Sequence, residues 1–188
     1  MSHERRAIHG IRKAGIRKAD PVINLDVTQR ETRRRASAFF GFCSGDRPDE
    51  PVTGWGVVLV SGGRLSYLQH GLLRPGRSGV PRANVLADLF AAYRPVAVAS
   101  AEASVDDGGA QVADHGLALG APLLSYGVAD LLRVLAPRAG GRSLHGATAR
   151  LLDLGAIPEP PAASTALAAA VVAAFDHPAP SPPKGPTS

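Results

Sequence analysis

Ala38-Phe39-Phe40-Gly41-Phe42-Cys43-Ser44-Gly45, then a seven-residue polar loop, then Thr53-Gly54-Trp55-Gly56-Val57-Val58-Leu59-Val60 is the stretch that decides the fold. Both runs are short, rich in aromatic or β-branched residues, and bounded by Gly, Asp and Pro. That is the pattern of two strands joined by a loop. The turn Ser61-Gly62-Gly63 leads to a third strand over 64–73, so the domain opens with a three-stranded meander.

Beyond the meander the period changes. Val85, Leu86, Leu89 and Phe90 give residues 80–93 a helical spacing, which Arg94-Pro95 ends. Val96-Ala97-Val98-Ala99 reads as a short buried strand. A loop over 106–109 precedes a helix near 110–120, capped by Asp107 or a neighbour. Pro122 opens another short strand, Leu123-Leu124-Ser125, and helices follow near 127–135, 142–154 and 162–176. Three strands, a helix, then strands alternating with helices predict an α/β sheet with a meander at one side.

A chain of 188 residues is long enough for one well-buried core, and 45% hydrophobic with 20% charged residues is a globular composition. No apolar run approaches the roughly 18–20 residues of a membrane span, and the N-terminus lacks the pattern of a secretory signal. A single cysteine excludes an internal disulfide and a multi-cysteine zinc site. These features predict a cytoplasmic protein.

The charge is concentrated at one end. Residues 1–36 hold ten cations, Arg5, Arg6, Arg12, Lys13, Arg17, Lys18, Arg30, Arg33, Arg34 and Arg35, against four acids, a net of +6. The other 152 residues hold eleven cations against twelve acids, a net of −1. Residues 1–36 also contain the tandem repeat Gly10-Ile-Arg-Lys-Ala and Gly15-Ile-Arg-Lys-Ala. We read them as a basic arm, flexible or helical only when bound, whose cations contact a nucleic-acid backbone without regard to sequence. Few aromatics interleave, so stacking on single strands is not indicated. Residues 37–177 form the domain, and 178–188, with five prolines, form a disordered or polyproline-like tail.

The hairpin resembles the first hairpin of the RuvC family of Holliday-junction resolvases, which reads G-I-D-P-G and then T-G-Y/W-G-V-I. The resemblance extends over about 37–177. Arg64-Leu65-Ser66-Tyr67-Leu68 with Gly71 matches the family's third strand, and Tyr93-Arg94-Pro95 its F/Y-x-P. Gly116 and Gly120 match the L-G-x-A-x-G helix, and Pro122, Tyr126, Leu151-Leu152 and the Ala-rich last helix fall in register. It implies a ribonuclease H-like fold, a mixed five-stranded sheet flanked by helices. It also implies a homodimer, with Leu117 and Leu119 as candidate contacts.

The family hydrolyses DNA with two divalent metals held by four mostly acidic positions. The resemblance puts these on Cys43, on Ala101 with Glu102 one residue late, and on Ala162 and Thr165. Mg²⁺ takes oxygen ligands and a thiol suits it poorly. A one-residue shift on a strand turns a side chain to the opposite face. The junction-contacting loop becomes Ser104-Val105-Asp106-Asp107, and a family lysine becomes Leu132, with Arg133, Arg138 and Arg142 left nearby to compensate in part.

We therefore expect no catalytic residue, no metal ligand and no cofactor at the family positions. Cys43 reads as a small buried residue, Trp55 as core, and His70, His115 and His145 have no metal-motif spacing. The leading reading is a catalytically degenerate RuvC-like protein of DNA recombination or repair, binding branched or duplex DNA. One alternative is an active, Mg²⁺-dependent junction endonuclease with displaced carboxylates from Asp46, Glu102 and Asp106 or Asp107. Another is a protein-interaction scaffold whose arm docks an acidic protein partner.

Overall fold

The structure, a computed structural model, describes residues 36–44, 52–74, 81–101 and 107–177. All ten cations predicted to bind nucleic acid, the Pro-rich tail, and Asp46, Glu102 and Asp106 lie outside the described residues.

Five strands form one sheet: β1 (Ser37–Ser44), β2 (Thr53–Ser61), β3 (Arg64–Leu73), β4 (Ala97–Ser100) and β5 (Leu123–Ser125). The helices are α1 (Pro81–Tyr93), α2 (Asp107–Ala118), α3 (Val128–Ala139), α4 (Leu144–Leu151) and α5 (Pro161–Asp176). The strand order is β3-β2-β1-β4-β5. The first three strands pair antiparallel, and β1, β4 and β5 run parallel. The mixed five-stranded α/β architecture expected from the sequence is the one observed.

β1 is the central strand, which explains its lack of polar alternation. Phe39 and Cys43 face one side, and Phe40 and Phe42 the other. Phe39, Phe40 and Phe42 are essentially fully buried, each contributing roughly 1.5–3 kcal/mol through removal of apolar surface from water. Trp55 is core, as expected, stacked on Phe40 with ring centroids 6.0 Å apart.

The Phe39–Cys43 face is covered by α5, flanked by α3 and α4. A Cβ on Gly41 would sit 1.9 Å from the carbonyl oxygen of Ala166, and one on Gly56 2.6 Å from Leu167 Cγ. These glycines let the Ala-rich helix lie directly on the sheet. The opposite face is covered by α1 and α2, with Leu86, Leu89, Phe90 and Val112 in its core.

Three helices differ from the sequence expectation, and α4 is shorter at both ends than the expected 142–154, spanning Leu144–Leu151. α2 begins at Asp107 and ends at Ala118, with Gly120 in the left-handed region at φ 72°. α3 continues past the predicted end near 135 and carries Pro137 in its last turn. It stops where Gly140, at φ 65°, donates its N–H to Ala136 O.

Candidate functional site

The C-terminal ends of β1 and β4 are neighbours. Phe42 stands opposite Ser100, and Ala101 donates its N–H to Phe42 O at 3.0 Å. Strand alternation then brings Cys43 and Ala101 to the same side, in the core cluster under α5. Cys43 also pairs across β1–β2 with Gly54. A Cβ on Gly54 would lie 2.3 Å from the carbonyl carbon of Ala162 and 2.5 Å from Ala163 N. The first turn of α5 therefore rests on this corner of the sheet. Thr165 follows Ala162 by three residues on the same helical face. Cys43 on β1, Ala101 just past β4, and Ala162 and Thr165 on α5 are distant in sequence, and the fold gathers them at one corner.

The described residues of the corner are mostly buried and largely apolar. Cys43 is 5% exposed and Ala101 fully buried, and Cys43 Sγ donates to the carbonyl oxygen of Ser44 at 3.3 Å. Thr165 Oγ1 lies 3.1 Å from His145 Nε2 on α4. The first turn of α5 carries no acid, and its N-cap, Pro160, provides no side-chain cap. This helix end contributes a partial positive charge.

The His145–Thr165 pair was missed in the sequence, because twenty residues separate the partners and neither belongs to a spaced motif. His70 and His115 also have local partners. Tyr67 Oη and His70 Nδ1 are 2.9 Å apart, with burial holding the Tyr67 phenol above its usual range against the lowering effect of a hydrogen bond involving His70. His115 Nδ1–H donates to Gln111 O at 3.0 Å.

The arginines retained near α3 differ in their freedom. Arg133 pairs with Asp130 at 2.7 Å, both largely in solvent, so the pair contributes little to stability. Arg138 lies 4.8 Å above the Phe175 ring and donates to Val134 O at 2.7 Å. Arg150, which sequence reasoning did not single out, donates to Ala139 O and Gly140 O at 3.2 and 2.8 Å. Both guanidiniums are held from one side, and Arg138, Arg142 and Arg150 are all exposed.

This geometry can be set against known proteins. No family model matches the chain. The crossover junction endodeoxyribonuclease RuvC of Rubrobacter xylanophilus is 33% identical over 152 residues, covering 71% of this chain and 84% of its own. The chain belongs to the RuvC family.

Two solved structures of Thermus thermophilus RuvC share the fold of this family member. One, in complex with Holliday junction substrate, has a TM-score of 0.58 at 20% identity, covering 74% of this chain and 93% of its own. The other has a TM-score of 0.60 at 23% identity, covering 73% and 93%. The ribonuclease H-like fold expected from the hairpin is confirmed by this likeness.

Family membership corrects one expectation. The reading of no cofactor is overturned, because the R. xylanophilus relative is an endodeoxyribonuclease and the RuvC family cleaves DNA with Mg²⁺. The described residues at the corner do not fit that ion. Mg²⁺ requires oxygen ligands in octahedral geometry, whereas these positions offer a buried thiol, two methyl groups and one hydroxyl already bonded to His145. Among the described residues no three His, Cys, Asp or Glu side chains converge as a metal site. Glu102, the acid adjacent to Ala101, is outside the described residues, and for Asp107 the backbone alone is described. Likewise, none of the described helices is long and apolar enough to cross a membrane.

Proposed function

We propose that this RuvC family member binds branched or duplex DNA and is catalytically degenerate at the family's four metal-binding positions. The observation that carries this reading is the placement of Cys43 and Ala101 side by side under the first turns of α5. They occupy the sheet corner that the family resemblance assigns to acids, and neither can act as a carboxylate. The T. thermophilus structure in complex with Holliday junction substrate supports the choice of a junction as ligand, and DNA recombination or repair is the setting that this reading implies.

Affinity comes chiefly from the arm, through Arg5, Arg6, Arg12, Lys13, Arg17, Lys18, Arg30, Arg33, Arg34 and Arg35, on residues 1–36 ahead of a nearly neutral domain. The exposed surface bearing Arg138, Arg142 and Arg150 adds phosphate contacts from the domain, since held guanidiniums lose less freedom on binding. The protein is cytoplasmic and pairs as a homodimer through the outward face of α2, where Leu117 is 58% exposed. Sedimentation showing a monomer at micromolar concentration would count against that pairing.

The test is salt-titrated binding to four-way junction, duplex DNA and RNA, with the full chain and a variant lacking 1–36, each repeated with Mg²⁺ or Mn²⁺ and assayed for cleavage. Engagement of six to ten phosphates predicts a loss of about 10³–10⁵ in affinity between 50 and 200 mM salt. Arm-dependent binding without cleavage supports the proposal. Metal-dependent cleavage abolished by Glu102→Gln would replace it with the displaced-carboxylate nuclease. No binding at low salt would replace it with a protein-interaction scaffold.

A further inference from the structure

The end of the sheet opposite Cys43 carries exposed apolar side chains, of which only Leu119 is also a candidate dimer contact. Leu119 is 57% exposed, Val96 39% and Leu123 38%. Val96 directly precedes β4, Leu123 opens the adjacent parallel strand β5, and Leu119 stands in the turn between α2 and β5. They gather where β1 enters the sheet, since Val96 donates its N–H to Ala38 O at 2.8 Å. The N-terminal arm therefore joins the domain beside this patch. β5 is an outer strand of the sheet. The other outer strand, β3, has no large apolar side chain among the exposed ones described.

One stretch of the arm has matching chemistry. In Val22-Ile23-Asn24-Leu25-Asp26-Val27-Thr28, the side chains of Ile23, Leu25 and Val27 alternate with polar ones. This is the period of a strand with one apolar face. Eight residues separate Thr28 from Ser37, a tether that spans up to about 27 Å when extended. Passing from β1 across β4 to the far side of β5 takes about 14 Å at the usual strand spacing. A segment running antiparallel to β5 would end near the β1 entry, which keeps the tether short.

We propose that residues 22–28 dock along β5 of the same chain, with Ile23, Leu25 and Val27 covering Leu119 and Leu123. The period-two apolar face, the exposed patch at the arm's point of attachment and the tether length all select this segment over a second copy of the chain. Docking would divide the arm. The tandem repeat before residue 20 is carried on an anchored segment, and Arg30 and Arg33 to Arg35 lie in the connecting tether. This inference is independent of the DNA-binding reading.

Cysteine cross-linking in the full-length protein tests it. Leu25→Cys combined with Leu119→Cys is compared with Ala14→Cys combined with Leu119→Cys, at low micromolar concentration under mild oxidation. Both pairs share a tether that gives a high effective concentration, so docking should make the first disulfide form at least ~10-fold faster. Hydrogen exchange over 117–125 should be slower in the wild type than in Leu25→Asp, with exchange in β1 unchanged. Equal cross-linking rates, or disulfides formed only between copies, would overturn the proposal. So would unchanged exchange over 117–125.

Discussion

The Nε2 of His145 lies 3.1 Å from the Oγ1 of Thr165, tying α4 to the second turn of α5 beside the corner that holds Cys43 and Ala101. In this chain the hydroxyl at that position serves a helix-to-helix hydrogen bond. Replacing Thr165 with Ala should leave His145 without this partner and cost about 1 kcal/mol. Thr165→Ser should recover most of the loss. Urea denaturation of the three proteins measures both effects, and equal midpoints would show the bond to be energetically idle.

Cys43→Asp restores the carboxylate that the family resemblance places there, in a site that is 5% exposed. Burial disfavours the ionised form and raises the carboxyl pKa. A folded-state pKa above the unfolded value means that the folded state holds its proton more tightly. The variant should therefore melt nearest to wild type at pH 4 and lose stability as pH rises toward 7. Melting curves across that range check this. A rise in Tm on adding Mg²⁺ at pH 7 would reveal carboxylates able to complete a metal site.

Gly41 and Gly54 are predicted to be intolerant of a single methyl group. A Cβ at Gly41 would lie 1.9 Å from Ala166 O, and one at Gly54 2.4 Å from Ala162 O, both backbone atoms of α5. Alanine at either position should cost about 2–4 kcal/mol, because helix and sheet must separate. Gly62 has open space around its Cβ direction but φ of 57°, so alanine there should cost only about 1 kcal/mol. Denaturation midpoints for the three variants give the comparison, and a Gly62 variant as damaged as the others would contradict it.

Tyr126 Oη donates to Asp176 Oδ2 at 2.9 Å, joining the end of β5 to the end of α5. Burial first, and then the hydrogen bond and charge of Asp176, raise the Tyr126 phenol well above its usual value of 10.0. The folded state keeps this proton at pH values where the unfolded chain releases it. Its contribution is therefore present below pH 10 and lost as pH climbs above it. Tyr126→Phe should flatten the alkaline decline of Tm between pH 9 and 11, and an unchanged slope would exclude Tyr126 as its source.

Much of the fold was legible in the sequence. The hairpin, the third strand and the short β4 and β5 announced themselves because apolar runs between Gly, Pro and Asp have few alternatives to strands. Pro137 obscured the end of α3, since the helix accommodates it in its last turn and stops only at Gly140. His145–Thr165 and the support of Arg150 by Gly140 O were invisible, because both depend on how α4 packs.

By itself, the sequence determined the composition of the corner: a thiol, two methyl groups and a hydroxyl at the positions matched to the family's acids, and a cation-rich arm ahead of a nearly neutral domain. Those properties reside in side-chain identity and survive any folding. Only the tertiary structure decided that Cys43 and Ala101 share one side of the sheet, that α5 closes over them, and that Thr165 is already engaged by His145. Strand register and helix docking fix those relationships, and they arise when residues distant in sequence are brought together by burial of the faces between them.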